Sequence, residues 1–106
     1  LCNNGRMGMV RQWQELIHGG RFSHSYTEAL PDFVALARAF GWSARRVERR
    51  EDLDGALAEC LDSAGPFFLD VVVVAEENCF PMIPAGAGHH EVLLGKDRVY
   101  AEAGCR

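Results

Sequence analysis

The sequence predicts an α/β fold in which a small parallel sheet is layered with helices, and three observations carry that expectation. Pro66 to Val74 is a run of aromatic and β-branched residues broken only by Asp70, as suits a parallel strand covered on both faces. Three other stretches repeat apolar residues at helical spacing. Strand-like segments lie before, between and after them, in the order strand, helix, helix, strand, helix, strand. A chain of 106 residues supports one domain and not several. Its 48% hydrophobic content is enough for a core without disulfide staples.

Leu1-Cys2 reads as the end of a strand, and Asn3-Asn4-Gly5 as a turn, since Asn and Gly tolerate left-handed backbone. Met9, Val10, Trp13, Leu16 and Ile17 follow at helical spacing, and Gly19-Gly20 ends that helix. Arg21 to Ala29 is a polar loop carrying Phe22, His24 and Tyr26. Pro31 opens a second helix from a first-turn position, Phe33, Leu36, Ala37 and Phe40 form its buried stripe, and Gly41 stops it. Ala44 to Glu48 is a short strand, and Leu53, Ala56, Leu57, Cys60 and Leu61 mark a third helix. Beyond Val74, Pro81, Pro84, Gly86 and Gly88 limit regular structure, and a polar tail runs to Arg106. In such folds ligands gather at the carboxyl ends of the parallel strands. The turn from Asn3 to Met7 occupies that position if Leu1-Cys2 ends a strand.

The net charge of −4, with eleven basic residues interspersed among acids, excludes nucleic acid as the main partner. No apolar run approaches the ~20 residues of a membrane helix, and no signal peptide is expected. The chain starts at Leu1 without an initiator Met, which suggests truncation or processing. Cys2, Cys60, Cys79 and Cys105 are scattered without a Cys-x-x-Cys pair, which reads as a reducing, cytoplasmic setting.

The run Asn3-Asn4-Gly5-Arg6-Met7-Gly8-Met9-Val10-Arg11-Gln12-Trp13-Gln14 resembles the end of the thiamine-diphosphate motif of acetolactate synthase large subunits, an Asn-Asn pair followed by Gly-Met-Val-x-Gln-Trp-Gln. Gly20 to Tyr26, Leu30-Pro31-Asp32-Phe33-Val34 and Pro81-Met82-Ile83-Pro84-Ala85-Gly86 resemble three further landmarks of that family, in order. The resemblance covers about residues 1–88 and leaves 89–106 as a C-terminal tail. It implies part of a three-layer thiamine-diphosphate-binding domain.

By that resemblance, the side-chain oxygen of Asn4 and the backbone carbonyl of Arg6 are ligands of Mg²⁺, a cation that takes six hard oxygens. Gly8 and Met9 lie beside the cofactor with Asn4, while Val10 and Trp13 shape the pocket for the second 2-oxo acid. No catalytic residue is assigned within the chain. The family's third Mg²⁺ ligand, an Asp of a Gly-Asp-Gly motif, falls before the Asn pair, and no such run occurs here. The family's activating Glu and its FAD-binding domain also lie elsewhere, so FAD belongs to the full-length parent and not to this segment. The implied reaction is the decarboxylating condensation of two pyruvates, or of pyruvate and 2-oxobutyrate, in branched-chain amino-acid biosynthesis. A homo-oligomer with a possible regulatory subunit is implied, while the isolated chain is expected to be inactive. The alternatives are another thiamine-diphosphate carboligase, such as glyoxylate carboligase, and a non-catalytic orphan module that only binds partners.

Arg6-Met7 and His89-His90 depart from the family's usual residues. Other features read two ways. His24 is a local hydrogen-bonding group or an acid–base catalyst. His89-His90 lacks a third ligand for a transition metal. Arg45, Arg46, Arg49 and Arg50 beside Glu51-Asp52 form a solvated, salt-bridged face or an anion site. Met9 and Trp13 are core residues by spacing alone, and Asp70 has no assignable chemistry.

Overall fold

The chain enters the sheet at its first residues. In the computed structural model, which describes residues 1–26, 29–95 and 98–99, β1 (Cys2–Asn3) and β2 (Ser43–Val47) each pair in parallel with β3 (Phe67–Val72), giving the order β1-β3-β2. Cys2 and Val47 both lie level with Val71, so the three strands finish along one edge. The expected parallel α/β order is therefore present, with β2 starting at Ser43 instead of Ala44 and β3 ending at Val72 instead of Val74.

Side chains alternate across a strand, and the helices take opposite faces. Phe68 packs toward α2 (Phe33–Ala39), lining a cleft with Phe33, Leu36, Ala37, Phe40 and Trp42. Arg45, level with the neighbouring Leu69, points the other way and reaches Glu59 of α3 (Leu53–Asp62) at 2.9 Å. This is helix, sheet, helix in three layers. Asp32 caps α2 by accepting from the Ala35 N–H at 2.9 Å. Pro31 thus precedes the cap and does not sit in the first turn, because an Asx side chain competes better for the free N–H groups of a helix start.

The core is thinner than the periodicity predicts. Only Ala37, Val47 and Ala56 are buried apolar residues among those described. Leu36, Phe40, Leu57 and Leu61 face outward, and most of β3 is half-buried instead of covered on both sides. The stripes exist, but little in this chain covers them. The one fully buried residue of β3 is Asp70. It lies on the central strand, not at an edge, with Arg46 Nη1 donating to its Oδ2 at 3.2 Å. Its Oδ1 has no partner among the described residues. Arg46→Met should therefore cost about 2 kcal/mol, within the 1–3 kcal/mol typical of stripping a buried acceptor of its donor. Urea unfolding measures it, and an unchanged midpoint would refute the pairing.

Between β3 and residue 93 the chain is irregular apart from a one-turn 3₁₀ helix at His89–Glu91, with a cis bond at Phe80-Pro81. Met82 and Leu93 then exchange backbone hydrogen bonds at 3.0 and 2.8 Å, and β4 (Leu93–Gly95) pairs antiparallel with β5 (Arg98–Val99). That pair falls in the stretch read from sequence as tail; the end of the tail at Arg106, with Cys105, lies outside the described residues. Cys2, Cys60 and Cys79 are free thiols. Among the described residues no helix is long and apolar enough to cross a membrane.

Candidate functional site

The turn that follows β1 is organised by its own side chains. Asn3 is buried, and its Oδ1 accepts from the Gly5 N–H at 3.1 Å. Asn4 repeats the arrangement one residue on, its Oδ1 accepting from the Arg6 N–H at 3.1 Å. Gly5 supplies the left-handed backbone (φ 66°) that two successive Asx turns require. The turn is held from outside by Met7, whose N–H donates to the Ser25 carbonyl at 2.9 Å. Asn4 therefore stands just past the carboxyl edge of the sheet with its carboxamide fixed in orientation.

Gly8 opens the next helix, α1 (Gly8–Leu16), and makes room for that carboxamide. A Cβ at this position would meet Asn4 Nδ2 at 2.9 Å, inside van der Waals contact. The close approach that glycine permits at this position is to Asn4. Replacing helical Gly by Ala ordinarily stabilises by roughly 0.5–1 kcal/mol. Gly8→Ala should thus leave thermal stability unchanged or slightly raised while displacing the Asn4 side chain. An NMR shift of the Asn4 Nδ2 protons checks this; an unmoved signal would refute it.

Helix α1 has two unlike faces. Met9, Trp13 and Ile17 recur at intervals of four and stand about half exposed, so none is a core residue in this chain. Val10 is half-buried beside them. The opposite face carries polar residues that are buried. The Gln12 amide is a surrogate strand partner for Cys79, donating from Nε2 to its carbonyl at 3.1 Å and accepting from its N–H at 2.7 Å. Arg11 Nη1 donates to Glu15 Oε2 at 2.9 Å and to Asn78 Oδ1 at 3.1 Å, and Asn78 also donates to Glu15. These bonds dock the 76–82 segment on the helix. Sequence periodicity misses them, because Arg and Gln between apolar residues look like a solvated flank.

The structure thus gathers Asn4, Arg6 and Gly8 in one turn and sets Met9, Val10 and Trp13 on one side of the adjoining helix. The other candidates lie apart. His24 is exposed, with a left-handed backbone (φ 54°), and shares a 2.7 Å hydrogen bond with Ser23. His90 stands 3.8 Å from Glu91, and no group of three His, Cys, Asp or Glu residues among the described ones is placed to hold a metal. Arg45, Arg46 and Arg49 are engaged with Glu59, Glu48, Glu51 and Asp52, the solvated, salt-bridged face.

The donor set of the turn fits a hard cation in kind. Asn4 Oδ1 uses one lone pair on the Arg6 N–H and keeps the other. No described group donates to the Arg6 carbonyl. Both are neutral oxygens, suited to Mg²⁺ and too few to hold it without further ligands.

A turn of this kind at the end of a parallel strand is how α/β cofactor domains present ligands, and family comparison names the cofactor class. The family described as thiamine pyrophosphate enzyme, C-terminal TPP binding domain, matches residues 1–71, and the chain belongs to it. Its similarity to individual proteins is narrower still. It is 43% identical over 94 residues to the acetolactate synthase large subunit of Pyropia yezoensis, covering 88% of this chain. It is 42% identical over 94 residues to the mitochondrial acetolactate synthase of Schizosaccharomyces pombe, covering 89%. It is 41% identical over 93 residues to the acetolactate synthase isozyme 2 large subunit of Escherichia coli K12, covering 88%. The chain spans only 16%, 14% and 17% of the lengths of these relatives, respectively.

Proposed function

We propose that this chain forms the C-terminal part of the thiamine-diphosphate site of an acetolactate synthase catalytic subunit, with residues 1–88 in the binding domain and 89–106 as its tail. The observation that carries the reading is the Asn4 carboxamide, oriented by the Arg6 N–H and seated on Gly8 at the sheet's carboxyl edge. In this reading Asn4 Oδ1 and the Arg6 carbonyl hold Mg²⁺, and Gly8 and Met9 flank the cofactor. Val10 and Trp13 on the exposed side of α1 line the acceptor pocket. Thiamine diphosphate, when bound, supplies the electron sink for decarboxylating one 2-oxo acid and joining it to a second. The chain's own residues bind and select: Asn4 orients the metal, and the Trp13 indole sets the room for the acceptor's alkyl group.

The uncovered apolar faces of α1, α2 and α3 fit a domain completed by the rest of a subunit. A third Mg²⁺ ligand, the FAD site and the pyruvate and 2-oxobutyrate sites would be completed there too, in an oligomer serving branched-chain amino-acid synthesis in the cytoplasm. The isolated chain, with two neutral metal ligands, is expected to form no acetolactate and to bind thiamine diphosphate and Mg²⁺ only weakly; micromolar binding by calorimetry would contradict this.

The deciding experiment is a chimera in which this chain replaces the matching segment of the E. coli isozyme 2 large subunit. Mg²⁺- and thiamine-diphosphate-dependent acetolactate formation is expected, and a folded, cofactor-binding chimera yielding a different carboligation product would overturn the assignment. In that chimera Trp13→Leu should change the 2-oxobutyrate to pyruvate preference about tenfold, the scale of one methylene in an apolar pocket. An unaltered product ratio would remove Trp13 from the acceptor pocket.

A further inference from the structure

On the side of α1 away from Trp13, two arginines and two aromatic rings border an open cavity of about 320 Å³, lined by Arg6, Arg11, Phe22, Tyr26 and Glu76. Arg11 and Trp13 are two residues apart, about 200° around a helix, so this cavity lies away from the acceptor surface at Trp13 and meets the proposed metal site only through Arg6, whose side chain lines the one and whose backbone carbonyl serves the other. The Arg6 guanidinium lies over the Tyr26 ring at 4.7 Å, and that of Arg11 over Phe22 at 5.4 Å. These cation–π contacts hold both guanidinium groups against the rings, and the two cations are the donors of the cavity wall.

Those donors are short of acceptors. Arg11 is 8% exposed, yet all its hydrogen bonds, to Glu15, Asn78 and the Glu76 carbonyl, leave from Nη1. Its Nε and Nη2 donate to none of the described residues. Arg6 Nε is buried without a partner among the described residues and is closed to a ligand, so Arg6 offers its Nη edge, where Nη2 meets Glu76 Oε1 only at 3.7 Å, longer than a hydrogen bond. A nine-tenths buried guanidinium with two idle nitrogens, facing a second under-used one, is a site built for an acceptor.

We propose that this cavity binds a small monocarboxylate, its two oxygens on the N–H edges of Arg11 and Arg6 and its short apolar tail against Phe22 and Tyr26. A carboxylate matches the planar fork of a guanidinium. A dianion fits less well, because the Glu15 and Glu76 carboxylates already face the two arginines. The Glu76 side chain, two-thirds exposed, is a loose internal competitor that the ligand displaces. The ligand is either a 2-oxo acid or a simple carboxylate; the shared chemistry is the carboxylate itself. The inference stands on the Arg6 and Arg11 contacts and does not depend on the cofactor reading.

The test is titration of the 106-residue chain with acetate, pyruvate, phosphate and chloride at constant ionic strength, following the Arg Nε–H signals by NMR. Saturable shifts at Arg6 and Arg11 are expected with acetate and pyruvate in the millimolar range. Saturation by pyruvate alone would narrow the source to 2-oxo acids and still support the site. Arg6→Gln, with an unchanged circular dichroism spectrum, should weaken binding about tenfold or more, as befits a charge-assisted hydrogen bond of 1.5–3 kcal/mol. Glu76→Gln should tighten it severalfold by removing the competitor. Shifts that do not saturate, that chloride or phosphate reproduces, or that survive Arg6→Gln unchanged would each overturn the proposal.

Discussion

Gln12→Leu should destabilise the chain by about 2–4 kcal/mol and release the 76–82 segment, although the substitution places a better helix former of similar size in a buried position. The cost comes from what is left behind. Gln12 serves both backbone groups of Cys79, a residue outside any strand, and its own side chain is 1% exposed. Removing the amide strips a donor and an acceptor of their partner at once, each worth roughly 1–3 kcal/mol when fully buried and less here, since Cys79 is exposed and both bonds are part-buried. Part of that is recovered if the segment swings out to water, and this is why local opening should accompany the loss. Urea unfolding gives the first quantity, and hydrogen exchange at the Cys79 amide gives the second. Gln12→Glu separates the two bonds, since a carboxylate keeps an acceptor for the Cys79 N–H but loses the donor to its carbonyl. If Gln12→Leu leaves the Cys79 amide as protected as before, Gln12 is not the clamp.

The same residue marks the limit of sequence reading. Helix positions, the parallel order and the strand at 66–74 follow from spacing and side-chain shape, which are local properties. Gln12 pairs with a residue 67 positions away, and no periodicity encodes that. Asp70 is the converse: it looks like an interruption in an apolar strand and proves to be its most buried residue, because Arg46 on the adjacent strand reaches it. Burial of the stripes was overestimated for a different reason. Periodicity reports that a face is meant to be covered and says nothing about what covers it, so Leu36, Phe40 and Leu61 are apolar and exposed here. At the candidate site, the turn at Asn3-Asn4-Gly5 was legible as a turn. A role in binding a metal came from resemblance alone, and the Asn4–Gly8 approach depends on how the turn folds back on the start of α1. The Arg6–Arg11 cavity was not foreseen, since it depends on Phe22 and Tyr26 folding back from the loop.

Asn4→Ala in the chimeric synthase should weaken Mg²⁺-dependent thiamine-diphosphate binding by at least about 10–100-fold, the loss already typical of disturbing groups that merely support a metal ligand, and activity should fall with it. Two effects combine in this variant. The proposed metal loses an oxygen ligand, and the turn loses the acceptor for the Arg6 N–H, so the Arg6 carbonyl loses its orientation too. The two can be separated. Asn4→Asp retains an acceptor for Arg6 and adds a negative charge, which a hard cation favours; it should keep the turn and retain or tighten Mg²⁺ binding. Gly8→Ala keeps both Asn4 oxygen and Arg6 amide but crowds the carboxamide from below, and it should weaken Mg²⁺ binding with little change in unfolding temperature. A metal ligand predicts that affinity follows the Asn4 oxygen across all three variants. A purely structural turn residue predicts that affinity follows unfolding temperature instead, with Gly8→Ala as good as the parent. Measuring both quantities on the three proteins decides between them, and an Asn4→Ala chimera with unchanged Mg²⁺ dependence would remove Asn4 from the metal site.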